Sequence, residues 1–211
     1  MRTIWIARHG NREDFVDRTW KETAKWPHDP GLSPDGIIQA KELGLRLKDE
    51  NITAIFSSPF LRTIQTAKET ADLTDLKINV EYGLSEWLKS EWFFPSPVII
   101  PLEDKTDMFP QINSSYRSIT SPVYPETFSD MSQRVKNTVM AIIRSFPGNL
   151  LLIGHGASVD ASARALVGDG LKINSSLCSI IKISGTEYNW ELELNGDTSH
   201  LSDPEVSIRW T

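Results

Sequence analysis

The segment LLLIGHGAS, residues 150–158, carries the strongest signal for a buried strand in the chain. Its first four residues form a continuous apolar run, which is typical of a parallel strand covered on both faces. A helix is predicted to follow as far as about Leu166, so His155 lies at the junction of strand and helix. A second apolar run, residues 4–7, ends in the same way at Arg8-His9-Gly10. His9 and His155 therefore have equivalent predicted positions.

Strands and helices alternate between these two histidines. Ser33-Pro34-Asp35 joins a capping hydroxyl, a proline at the first helical position and an acid in the first turn, and it predicts a helix to about Asp49. Residues 54–56 and 78–80 predict two further strands, and between them Ser58-Pro59 predicts the start of a helix that reaches about Ala71. This order predicts an α/β fold, a three-layer α/β/α sandwich with a mostly parallel central sheet. Ligands of such sheets bind beyond the carboxyl ends of the strands, where both histidines fall.

The second half of the chain contains one irregular segment. Residues 91–126 hold six of the 12 prolines, and we interpret them as a long, partly ordered insertion on the substrate side of the domain. A helix is predicted from about Thr127 until Pro147-Gly148. Residues 179–183 and 190–194 predict two antiparallel strands, and from about Asn195 we expect a weakly structured tail. All 211 residues are assigned to a single domain.

Composition excludes several classes of protein. With 39% hydrophobic and 24% charged residues, the chain is typical of a globular domain that buries a sizeable core. A net charge of −6 argues against general nucleic-acid binding, which needs a basic surface. No apolar run reaches the roughly 18 residues of a membrane span, and the single Cys178 fits a reducing compartment. We therefore expect a cytoplasmic protein without nucleic-acid or membrane partners.

The motifs favour phosphoryl chemistry without a cofactor. The chain has no Gly-rich nucleotide loop and no Gly-x-Ser-x-Gly elbow, and the spacing of its four histidines does not suit a metal site. What remains is Arg8-His9-Gly10, Arg62 near a predicted helix start, and His155. Two guanidinium groups can hold a phosphate bidentately, and a second imidazole can donate to the same oxygens. His9 is then free to attack phosphorus, provided that the neighbouring arginines keep it neutral.

Three segments together resemble the histidine phosphatase superfamily, also called phosphoglycerate-mutase-like. They are Arg8-His9-Gly10, residues 57–67 (SSPFLRTIQTA) and residues 154–158 (GHGAS). More narrowly, the chain is similar to the C-terminal phosphatase domain of the Sts/TULA proteins and to ecdysteroid-phosphate phosphatase. That similarity rests on Arg12, Asp14, residues 28–32 (HDPGL), residues 80–87 (VEYGLSEW) and residues 115–117 (SYR).

The resemblance implies a metal-independent phosphomonoesterase that needs no cofactor. It implies His9 as the nucleophile that forms a phosphohistidine, with Arg8, Arg62 and His155 binding the phosphate. It further implies Glu86 as the proton donor and Arg12 as an additional pocket arginine. The substrate is expected to be a phosphorylated small molecule or a phosphoprotein, phosphotyrosine included, and the resemblance suggests a homodimer.

Two alternatives stay open at this stage, a mutase of the phosphoglycerate type and a catalytically silent phosphate-binding module. Asn11 stands where the superfamily usually has an acid, and the chain lacks a Phe-Gly-x-Trp-Glu-Gly-like stretch. Of the activities found in the superfamily, these two departures argue first against that of a mutase. Four aromatic residues could line a substrate cleft or belong to the core: Trp87, Trp92, Phe93 and Phe94. We expect His28 to shape its loop through a hydrogen bond, and we assign no role to His200.

Overall fold

The computed structural model describes residues 1–186 and 189–203, and a six-stranded sheet forms its centre. The spatial order of the strands is β3-β2-β4-β1-β5-β6. Their bounds are β1 Arg2–Arg8, β2 Ile52–Ser57, β3 Ile78–Val80, β4 Asn149–Gly154, β5 Ile180–Thr186 and β6 Asn189–Asp197. The first four are mutually parallel, whereas β5 runs antiparallel to β1 and β6 antiparallel to β5. The predicted α/β fold with a mostly parallel sheet is confirmed.

Seven helices accompany the sheet in the described part of the chain. They are α1 Glu13–Val16, α2 Trp20–Thr23, α3 Pro34–Leu47, α4 Leu61–Thr74, α5 Leu102–Met108, α6 Phe128–Ser145 and α7 Gly156–Val167. Leu43 of α3 and Ile64 of α4 share one core with Trp5, while Val135 of α6 and Val159 of α7 share the other with Ile6. Alternate residues of a strand point to opposite faces, which explains why residues 4–7 of β1 and 150–153 of β4 are all apolar.

The predicted start of α4 is wrong. α4 begins at Leu61 with Phe60 in the N-cap position, and it continues to Thr74. The side chain that caps it is Asp29, whose Oδ1 accepts a hydrogen bond from the Leu61 amide at 2.6 Å. Because this cap comes from a distant loop, no local signal marks it. Ser33, by contrast, caps α3 as predicted, with its hydroxyl accepting from the Gly36 amide at 3.3 Å.

The proline-rich insertion contains regular structure and is tied to the sheet. It includes α5, and Ile112 forms a parallel bridge with Ile78 of β3. The Lys105 ammonium of α5 is fully buried, 2.6 Å from Asp29 Oδ2, and it also donates to the carbonyl of Pro59 at 2.6 Å. The insertion therefore contacts the loop that contains Asp29 and the start of α4, the helix that carries Arg62.

The predicted beginning of the tail is wrong. β6 continues to Asp197, and the pairing of Ile181 with Asn195 and of Ile180 with Asp197 leaves Gly196 in a bulge, at φ +79°. A bulge interrupts the alternation of apolar and polar residues, so the sequence pattern ends before the strand does. Beyond it, Leu201 is buried in the core. Residues 204–211 of the predicted tail lie outside the described residues.

Within residues 1–186 and 189–203, no helix is long and apolar enough to cross a membrane.

Candidate active site

His9 and His155 meet at one end of the sheet. They follow the neighbouring parallel strands β1 and β4, in which Arg8 pairs with Gly154. The two imidazole rings lie with their centroids 5.3 Å apart and their planes at 63°. Both side chains are fully buried. The sequence predicts equivalent positions for the two histidines, and in the structure their rings are in contact.

His9 presents one ring nitrogen without a partner. Its Nδ1 lies 2.7 Å from the carbonyl oxygen of Gly10, which can only accept, so Nδ1 carries the proton and Nε2 carries a lone pair. Nε2 is buried and has no hydrogen-bond partner among the described residues. Burial, followed by the positive charges of Arg62, Arg8 and Arg12, holds the pKa of His9 well below its ordinary value. The imidazole is therefore neutral at physiological pH, which is the form that acts as a nucleophile.

Arg62 has unsatisfied donors beside this ring. It lies in the first turn of α4 with its guanidinium 4.6 Å from the centre of the Phe60 ring. One terminal nitrogen donates to His155 Nδ1 at 3.2 Å, whereas Nε and the other terminal nitrogen are buried without a partner in the described structure. Burial lowers the pKa of Arg62 to about 9, with Arg12 as the next contributor, so the group stays charged at neutral pH. A buried cation with open donors is suited to an anion.

Two further arginines lie close by. Arg8, at the end of β1, donates to the carbonyl of Ser175 at 2.9 Å, and burial lowers its pKa to about 10. Arg12 is buried as well, but the edge formed by its Nε and one terminal nitrogen is engaged by the carboxylate of Asp14, with Nε at 2.7 Å from Oδ1. Arg12 therefore faces the site already paired, and a bound anion would share it with Asp14.

His155 is oriented by Ser58 and Arg62. An arginine nitrogen can only donate, so His155 Nδ1 is the acceptor in that contact, and its Nε2 donates to the Ser58 hydroxyl at 2.8 Å. Burial and the charge of Arg62 hold the pKa of His155 well below its ordinary value. Ser58, which the sequence marked as a helix cap, has this role instead. An anion bound beside His155 would raise its pKa and favour a proton on Nδ1, as donation to phosphate requires.

Glu86 approaches the site from the loop after the 3-10 turn Tyr82–Leu84. Its Oε2 lies 3.6 Å from His155 Nδ1, and its Oε1 accepts from the Trp87 amide at 3.0 Å. Although Glu86 is buried, it lines a cavity of about 120 Å³ together with Arg12 and Arg62. The cavity connects these three side chains to the surface.

Aromatic residues of the insertion form the rim of this cavity. Trp92 and Phe93 line it, whereas Phe94 is 83% exposed and Trp87 packs against Phe128. His28 also lines it, and its Nδ1 accepts from the Val98 amide at 3.0 Å, which confirms the predicted loop-shaping hydrogen bond. His200 lies outside the cavity lining.

Gly10 is required by close packing against the start of α3. A Cβ atom at Gly10 would lie 2.6 Å from the carbonyl oxygen of Gly36 at the start of α3. Any side chain there would push α3 away from the loop that holds His9 Nδ1. The sequence alone does not reveal that it is the Gly36 carbonyl that requires a glycine at position 10.

Comparison with known proteins identifies the family to which the chain belongs. A sequence model described as the histidine phosphatase superfamily (branch 1) matches residues 4–198. This chain belongs to the histidine phosphatase superfamily. The chain is 27% identical over 210 residues to the human ubiquitin-associated and SH3 domain-containing protein A. The match covers 79% of this chain and 31% of that protein.

Two other relatives cover nearly all of this histidine phosphatase chain. The transcription factor tau 55 kDa subunit of Saccharomyces cerevisiae is 28% identical over 257 residues, covering 99% of this chain and 58% of that protein. The ecdysone phosphate phosphatase of Bombix mori, solved in complex with tungstate, has the same fold, with a TM-score of 0.75 and 21% identity over 100% of this chain and 96% of the other. The chain thus spans 31% of the length of the human relative and 58% of the length of the yeast relative.

Proposed function

We propose that this histidine phosphatase domain hydrolyses phosphate monoesters through a phosphohistidine on His9. The observation that carries the proposal is the neutral, unpartnered Nε2 of His9 beside the open donors of Arg62. A nucleophile with a lone pair and a cationic cradle for an anion are the two components that phosphoryl transfer needs.

The first half-reaction transfers the phosphoryl group to the enzyme. His9 Nε2 forms a bond to phosphorus while the bond to the ester oxygen breaks, and Glu86 gives its proton to that leaving oxygen. Arg8, Arg62 and His155 stabilise the equatorial oxygens. Arg12 adds to this cradle when the phosphate displaces part of the Asp14 contact.

The second half-reaction releases phosphate. A water molecule gives a proton to the Glu86 carboxylate and attacks phosphorus, the bond to Nε2 breaks, and His9 is restored with Glu86 protonated again. To hydrolyse a phosphate monoester, an enzyme must lower the activation barrier by on the order of 20 kcal/mol. Dividing the reaction into two displacements makes each step easier. No step requires a metal ion.

The substrate class follows from the cavity and the relatives. The rim of Trp92, Phe93 and His28 borders the cavity where a leaving group would lie. We propose a phosphorylated small molecule or a phosphoprotein as substrate, since one relative is named for a steroid phosphate. A cytoplasmic location and a homodimer remain part of the proposal, the first because Cys178 is a single free thiol.

The decisive experiment replaces the nucleophile. His9→Ala should lower kcat for p-nitrophenyl phosphate by at least about 10³-fold, because the whole covalent route is lost. Wild-type turnover should persist in excess chelator and leave an acid-labile, base-stable phosphohistidine after quenching. His200→Ala, a change outside the cavity lining, is the matched histidine control and should retain activity. Full turnover by His9→Ala would refute the proposal.

A second candidate is a phosphate-binding subunit of a larger assembly. It is favoured by the yeast relative, which covers 99% of this chain and is named as a subunit of a transcription factor. This function predicts that wild-type protein binds inorganic phosphate in calorimetry but yields no phosphohistidine and no turnover. The same quench experiment therefore separates the two candidates.

A further inference from the structure

The loop that carries Glu86 is held by a buried arginine of another element. Arg134 of α6 reaches three carbonyl oxygens of this loop. One terminal nitrogen donates to Gly83 at 2.8 Å and to Ser85 at 3.3 Å, and the other donates to Glu86 itself at 3.2 Å. One guanidinium group thus fixes the main chain before and at the proposed proton donor.

Glu126, at the end of the insertion, completes this arrangement. Its carboxylate accepts from Arg134 Nε at 2.6 Å and from an Arg134 terminal nitrogen at 2.8 Å. The same carboxylate accepts from the Leu88 amide at 3.2 Å, and the Glu126 carbonyl accepts from Trp87 Nε1 at 3.0 Å. The loop is therefore held on both sides of Glu86.

The pair is almost completely removed from solvent. The side chains of Arg134 and Glu126 are 5% and 4% exposed. Burying an ion pair contributes little net stability compared with apolar residues of the same size, because desolvation offsets the attraction. What such a pair supplies well is fixed geometry, since the planar guanidinium fork has its donors in set directions.

We propose that Arg134 and Glu126 are positioning residues that hold Glu86 at the distance and angle needed for proton transfer. This inference rests on the proposed function. Neither residue lines the cavity, and Glu86's own carboxylate accepts only one hydrogen bond within the described structure, from the next amide along the loop. Its direction is consequently set by the main chain, and the main chain is held by the pair.

The test exploits the chemistry of the leaving group. Phenyl phosphate needs a proton on its departing oxygen, whereas 2,4-dinitrophenyl phosphate releases a stable anion and does not. We expect Arg134→Lys, which keeps the charge but loses the fork, to lower kcat/KM for phenyl phosphate by about tenfold or more, within the range of general acid catalysis. kcat/KM for the dinitrophenyl ester should change less than about threefold. Glu126→Gln, a milder change, should act in the same direction.

Two controls separate positioning from stability and from the proposed function. Lys105→Met also disrupts a buried ion pair, but on the Arg62 side of the site, so it should lower kcat/KM for both esters equally. Glu86→Gln should show the largest dependence on the leaving group. If Glu86→Gln shows it and neither Arg134→Lys nor Glu126→Gln does, the positioning role is refuted while the proposed function stands. If Glu86→Gln shows none, Glu86 is not the donor and the positioning role is refuted, whereas the phosphatase activity itself is tested by His9→Ala.

Discussion

At the scale of single residues, burial determines the protonation of the site. His9 and His155 are both fully buried, next to the charge of Arg62, and both are held neutral by desolvation first and by that charge second. The unfolded chain has neither constraint, so its imidazoles take up protons near their ordinary pKa of about 6.5. The two states therefore bind different numbers of protons in mildly acidic solution.

This difference predicts a pH dependence of stability. Because the folded-state pKa of His9 is depressed, the unfolded state binds the proton first as pH falls below about 6.5, and folding stability is lost from there downward. His9→Gln should reduce the slope of unfolding free energy against pH by up to about 1.4 kcal/mol per pH unit below about pH 6. Urea denaturation at a series of pH values measures it. Identical slopes for both proteins would show that His9 titrates normally.

At the scale of elements, the start of α4 is the point on which Arg62 depends. Asp29 caps this helix through Leu61, accepts from the Ile100 amide at 3.1 Å, and pairs with Lys105. One carboxylate thus joins the loop of residues 28–32, α4 and the insertion. The stability lost on removing the Asp29 carboxylate depends on Lys105, whose buried charge would lose its partner.

Asp29→Asn should destabilise the protein by about 3–5 kcal/mol, because Lys105 is left charged and unpaired in the interior. The double variant Asp29→Asn with Lys105→Met should recover part of this loss. Lys68→Met is the control on the same helix: it removes a surface pair with Asp72 and should cost less than about 1 kcal/mol. Equal losses for the buried and surface changes in urea denaturation would contradict this account.

At the scale of the whole molecule, the site is assembled from distant parts of the chain. β1 brings His9, α4 brings Arg62, the loop after β3 brings Glu86 and the end of β4 brings His155. An anion held by Arg62 and His155 links α4 and β4, and the unfolded state offers no such site. Ligand binding should therefore be visible as stability of the entire fold.

Inorganic phosphate at about 100 times its Kd should stabilise the native state by about 2.7 kcal/mol. For a chain of this size, that corresponds to an increase in Tm of roughly 5–10 °C. Arg62→Lys should lose most of the shift, since a single ammonium cannot replace the bidentate fork. Sodium chloride at equal ionic strength is the control for screening. A shift of the same size in the variant would place the anion elsewhere.

The sequence predicted the features that depend on neighbouring residues. Apolar runs mark β1 and β4 because those strands are covered on both faces, and Ser33 marks α3 because its cap is local. The placement of His9 and His155 after two parallel strands was sufficient to predict that they meet, since parallel strands end on the same edge of the sheet.

Only the tertiary structure decided the contacts between residues far apart in the chain. The cap of α4 by Asp29, the buried charge of Lys105 and the hold of Arg134 on the loop of Glu86 leave no trace in local composition. Propensity and periodicity describe a residue's neighbours along the chain, whereas these partners become neighbours when the insertion and α6 pack against the sheet. The motif was sufficient to propose His9 as the nucleophile, whereas the contacts that orient the neighbouring groups could be read only from the folded chain.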